Sequence, residues 1–158
     1  MFVSLLAIFL TFFALLLQRR HNYKSVMPIA HVAVGDYEDR LIVKLCNNGI
    51  GPLIVTRLIV SDGCEEKQGI ISWMPQAPFG ILWSTFVPDL DRRALLPGHE
   101  AVLIELIGEM RSEKFVEFRD HVRKVLSTLV VSVEYEDIYG RSMPGEKRDL
   151  KWFGRHFS

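Results

Sequence analysis

The chain has 158 residues, with 19 basic and 19 acidic side chains and a formal net charge of zero. That length suits one domain with a real core, and the balanced charge gives no electrostatic reason to expect nucleic acid or a strongly charged ligand. Cys46 and Cys64, the two cysteines, are too few for the disulfide framework of a small secreted domain and too far apart for a metal knuckle.

The first element is the uncharged run from Phe2 to Leu17, in which twelve of sixteen residues are Phe, Leu, Ile or Val. That density suits lipid or a deep core, and the twelve together favour bilayer insertion by about 4 to 7 kcal/mol. Sixteen residues reach ~24 Å of a ~30 Å hydrocarbon core, so the helix would stand upright or thin the bilayer. No Lys or Arg precedes the run, and Leu15-Leu16-Leu17-Gln18-Arg19 offers no small-residue cleavage site, which favours an uncleaved anchor over a signal peptide. Arg19, Arg20 and Lys24 all follow it, and basic flanks stay on the cytoplasmic side. The expectation is a single-pass inner-membrane protein, N-terminus outside and domain cytoplasmic. Residues 1–18 form its transmembrane anchor, 2–17 touch the lipid bilayer, 19–28 form a juxtamembrane linker ending at Pro28, and 29–158 form a β-sandwich domain.

Beyond Pro28, period-2 patterns recur between turn signals. Ala30, Val32 and Val34 alternate with His31 and Ala33, and Leu41, Val43 and Leu45 with Ile42, Lys44 and Cys46, predicting a hairpin across Gly35 to Asp39. Pro52 to Val60 is a third strand, with Ile54, Leu58 and Val60 facing in and Arg57 out. Asn47-Asn48-Gly49-Ile50-Gly51-Pro52 before it predicts a tight reversal. If the flanking strands pair around that reversal, Cys46 and Cys64 lie too far apart to bridge. Further on, Val102, Ile104 and Leu106 form an inner face, as do Leu129, Val131, Val133 and Tyr135. Between them Ser112 caps a helix with Phe115, Phe118, Val122, Val125 and Leu126 on one side. Its other residues, Glu117, Arg119, Asp120, Arg123 and Lys124, read as a solvated face with an Asp120 to Lys124 pair. A last hairpin turns through Asp137 to Gly145, and Leu150 and Trp152 return to the core.

Two motifs, Asn47-x-Gly49-x-Gly51-Pro52 after an early strand and Tyr135-x-Asp137-x-x-Gly140 at the end of a late one, occur in immunoglobulin-like sandwiches. The whole arrangement resembles a loose group of uncharacterised bacterial single-pass membrane proteins that carry one such sandwich, and the likeness covers nearly the full chain. The resemblance implies a mainly β fold: an N-terminal transmembrane helix, then an immunoglobulin-like antiparallel β-sandwich. The Ser112 to Leu126 helix is an insertion in that plan. The resemblance implies no catalytic residues.

The sequence carries few patterns that point to chemistry. The five histidines show no H-x-x-x-H or H-E-x-x-H spacing, so no metal site and no cofactor are expected. Asp62, Glu65 and Glu66 around Gly63 could touch a hard cation, but an acidic turn is more often solvated. There is no G-x-S-x-G, and the Gly-rich turn at residues 48–52 lacks a P-loop Lys and ends in Pro. Asp137 at its bend reads as a binder of nearby backbone amides. Asn47, Gly49, Gly51, Pro52, Asp137 and Gly140 are therefore structural turn residues, and no catalytic residue is expected. The segment from Trp73 to Trp83 crowds aromatics and prolines, and Trp73, Met74, Phe79 and Trp83 read as a partner-contact surface. A competing reading folds Trp73, Phe79 and Trp83 over an open end of the sandwich as core. The functional expectation is a non-catalytic binding or scaffold module with a protein partner, a subunit of a membrane-associated complex. A periplasmic or extracellular adhesion-like module and an enzyme with a dispersed site are the alternatives.

Overall fold

The computed structural model describes the backbone of residues 2–157 and the side chains of residues 7–22 and 25–157. Helix α1 spans Phe2–Lys24. Among the described residues, no helix is long and apolar enough to cross a membrane. This overturns the expected transmembrane anchor, and with it the inner-membrane location and the N-out orientation. The physical reason is length and exit: the apolar run covers only ~24 Å of a ~30 Å core, and the helix continues unbroken through Gln18-Arg19-Arg20-His21 to Lys24. The first part of the run, Phe2 to Leu6, lies outside the described side chains. The fold is accordingly antiparallel sheets combined with helices, without a membrane-spanning segment among the described residues.

Strands β1 (Ala30–Asp36) and β2 (Arg40–Asn47) form the expected hairpin, with Val32 paired to Leu45 and Val34 to Val43. They are followed by β3 (Leu53–Ser61), β4 (Glu66–Lys67), β5 (Thr85–Phe86), β6 (Ala94–Leu95), β7 (Glu100–Ile107), helix α2 (Glu113–Leu126), β8 (Val130–Glu136) and β9 (Glu146–Asp149). One sheet has the order β1-β2-β7-β5, and the other β4-β3-β8-β9 with β6 beside β3. Their inner faces share a core that includes Val32, Val43, Leu58, Val60, Val131 and Val133. Leu129, Val131, Val133 and Tyr135 are all buried, as the alternation of β8 predicts.

Two bulges change the phase of the other predicted strands. In β3 the register to β8 slips between Val55 and Arg57, so Thr56 and Arg57 both face water and the inner residues before the slip are Leu53 and Val55. Ile54, expected inside, is half-buried. In β7 the slip opposite Val43/Lys44 adds Leu103, which is buried in place of the expected Val102, while Ile104 and Leu106 keep their inward places. One inserted residue flips every side chain on one side of it.

The Asn47 to Pro52 turn joins no pair of strands: β2 bonds to β1 and β7, and β3 to β4, β6 and β8. It carries the chain from one sheet to the other. Asn47 is fully buried, and its amide is saturated. Oδ1 accepts from the Gly49 and Ile29 backbone N–H groups at 3.0 and 3.3 Å, and Nδ2 donates to the Gly51 and Leu95 carbonyls at 2.8 and 2.9 Å. A Cβ at Gly49 or Gly51 would overlap the backbone of Val26, Met27 and Pro28, so these glycines serve close approach of two chain segments. Pro52 then leads into β3. Cys46 is half-buried, Cys64 exposed, and both are free thiols.

Ser112 caps α2 by accepting from the Phe115 N–H. The cap is worth ~1 kcal/mol, but burial of Phe115, Phe118, Val122 and Leu126, at about 1.5–3 kcal/mol each, dominates the helix's docking. The predicted solvated face is partly wrong. Arg119 and Arg123 are buried, at 5% and 3% exposure, because both reach the β1–β2 turn. Asp36, whose carboxylate is fully buried, accepts on Oδ1 from Arg123 Nε at 2.8 Å and Nη2 at 2.6 Å. Its Oδ2 takes Arg155 Nη1 at 2.7 Å and lies 3.1 Å from His156 Nε2. Arg119 donates to the Glu38 carbonyl and to its carboxylate at 2.9 Å. Asp120 pairs with Arg119 and Arg123 at 3.0 and 2.8 Å, and Lys124 sits 5.1 Å above the Phe157 ring. The expected Asp120 to Lys124 pair is replaced by these contacts.

The last hairpin forms, with β9 returning beside β8, and a 3-10 helix, Lys151–His156, follows it. Its three-residue repeat stacks Leu150 over Phe153, both fully buried. Trp152, expected in the core, is turned out at 43% exposure, with the Arg155 guanidinium 3.6 Å from its ring centre.

Three stability effects follow. Gly51→Ala should destabilise the fold by about 1–3 kcal/mol in urea unfolding, since the backbone it meets cannot swing aside. Asp36→Ala should cost about 3–5 kcal/mol by leaving Arg123 buried without its carboxylate. Asp120→Ala, removing a partner at 38% side-chain exposure, should cost under ~1 kcal/mol in the same measurement.

Candidate functional site

The segment between β4 and β5 opens with a 3-10 turn, Ile70–Trp73. Ile70 is fully buried and pins the turn to the core. The chain then runs irregularly to Trp83, since Pro75 and Pro78 cannot donate to a ladder. Pro78 to Ile81 makes a tight turn closed by the Ile81 N–H donating to the Pro78 carbonyl at 3.0 Å. Gly80, at φ 91, takes the third position, which requires positive φ in a type II turn. Phe79 is thereby held at the tip.

The four residues singled out from sequence divide. Trp73, Met74 and Trp83 are half-buried and pack on the core, as do Ala77 and Ile81. The Trp83 ring meets Phe118 of α2 edge-on, with centres 5.7 Å apart, and Lys67 Nζ lies 4.3 Å over the Trp73 ring. Trp73 Nε1 is buried with no hydrogen-bond partner among the described residues. Phe79 is completely exposed and Leu82 is 81% exposed. The reading of all three aromatics as a lid therefore fits Trp73 and Trp83 but not Phe79. Leu82, which sequence reasoning did not single out, shares the tip; the signal for it was its place directly after Gly80 and Ile81.

Hollows lie to either side of this tip. One of about 590 Å³ is floored by Met74, Ala77, Ile81 and Trp83. A second of about 460 Å³ lies between Phe79 and α2, where Lys114, Glu117 and His121 stand at the rim and Phe118 at the base. A third of about 330 Å³ runs from Leu82 to Glu109 and Ser112. This surface suits apolar side chains approaching from outside, with mixed charge around the edge.

Away from this loop, Asp62 and Asp137 each hold a turn together. Asp62 Oδ1 accepts from the Glu65 and Cys64 N–H groups at 2.9 and 2.8 Å, and those bonds hold its carboxyl below the usual range. Among the described residues, no three His, Cys, Asp or Glu side chains are grouped to hold a metal ion. Cys46 is pushed up by burial, against the pull of Lys44. Asp137 is fully buried at its bend and accepts from Tyr139 N–H at 2.9 Å and Arg141 N–H at 3.0 Å, with Arg141 Nε 3.1 Å from its second oxygen. Burial pushes its carboxyl up, but the Arg141 and Tyr139 amides and the Arg141 guanidinium together hold it below the ordinary value. Gly140, at φ 73, completes that turn.

No family model, no curated protein and no solved structure matches this chain.

Because the folded-state value of Asp137 is lowered, the unfolded chain binds its proton first, so this carboxylate's stabilisation is present above ~pH 4 and fades as pH falls through the folded value. Asp137→Asn should therefore flatten the acid limb of a stability-against-pH curve below ~pH 4 relative to the parent chain. At the loop, Phe79→Ser should change unfolding stability by less than ~0.5 kcal/mol. Trp83→Ala should cost about 2–3 kcal/mol, less than a fully buried Trp because part of its surface is already in water.

Proposed function

We propose that this chain is a non-catalytic binding module that grips a protein partner with the tip of its Trp73 to Trp83 loop, acting as a subunit or scaffold in a larger complex. The observation that carries the reading is Phe79 at full exposure beside Leu82 at 81%, on a loop whose Trp73 and Trp83 are packed down on the core. Two apolar side chains held in water by a fixed turn are costly to a lone domain and ready to become the centre of an interface. Their ordering cost is already met by Pro75, Pro78 and the packed tryptophans, so contact energy is not spent on stiffening the loop. The flanking hollows give room for a partner's own apolar anchors, and the mixed charges at Lys114, Glu117 and Glu109 make a polar rim.

The strand orders support the resemblance to immunoglobulin-like sandwiches. The sheets β1-β2-β7-β5 and β4-β3-β8-β9 correspond to A-B-E-D and C′-C-F-G in that arrangement, with α2 inserted between the E-like and F-like strands. In this correspondence the loop is the connection from C′ to D, and connecting loops on a rigid scaffold are where such folds carry recognition.

A photocrosslinking residue placed at Phe79 in cells of the natural host tests the reading, with the same residue at exposed Leu96 as control. One discrete protein adduct is expected from position 79 and absent from position 96. With that partner in hand, Leu82→Asp should weaken binding by about 30-fold or more while leaving the fold intact. Equal labelling at both positions, or unchanged affinity on Leu82→Asp, would sink the proposal.

A further inference from the structure

We draw no further inference here: the strongest candidate, the exposed apolar surface of helix α1 from Ile8 to Leu17, carries nothing because nothing in the structure shows what covers it.

Discussion

The buried carboxylate of Asp36 is the constraint around which the domain's parts are arranged. Taking a carboxylate out of water costs several kcal/mol, and the cost is offset only when good geometry and enough donors surround it. Here Arg123 supplies two N–H groups to one oxygen, and Arg155 with His156 approaches the other. These donors come from α2 and from the C-terminal 3-10 helix, while Asp36 ends β1. Three segments distant in sequence are thus tied at one point, and none can shift without stranding a buried charge.

That tie has consequences at the far end of α2. Arg123 lies in the last turn of the helix and Arg119 one turn earlier, so both guanidiniums hold the helix axis against the β1–β2 turn. The same helix face then places Phe118 under Trp83 and Phe115 in the core. The aromatic loop rests on α2 through Trp83, and Phe79 stands out because its neighbours are held down. The fold's stability and the surface proposed to bind a partner therefore rest on one helix, with its buried side fixing the loop's base and its exposed residues lining the hollow beside Phe79.

The sheet crossing is governed by a second saturated polar group. Asn47 uses both amide atoms on backbone from three places in the chain, which commits β2 and β3 to different sheets. Its motif was legible as a turn, but not as a crossover. A hairpin and a sheet-to-sheet corner draw on the same turn-forming residues, and only the partners of Asn47 Nδ2, one of them Leu95 almost fifty positions on, distinguish them. The bulges at Thr56 and Leu103 were equally hidden, because an extra residue leaves a run of apolar side chains looking regular while it reverses their direction.

Local pattern alone determined much of this protein: the β1–β2 hairpin, the inner face of β8, the Ser112 cap and apolar stripe of α2, the Asp137 turn, and a Trp73 to Trp83 segment crowded with aromatics and prolines. Each depends on residues close in sequence, whose periodicity or turn chemistry acts locally. Tertiary structure decided the rest. Arg119 and Arg123 looked solvated until Glu38 and Asp36 came beside them, and Trp152 gave up its core place to Phe153 because a 3-10 helix ends the chain. Within the aromatic loop the sequence could gather the residues but not sort them. Which side chain packs and which faces water depends on where α2 lies, and α2 lies where a carboxylate 87 residues before Arg123 holds it.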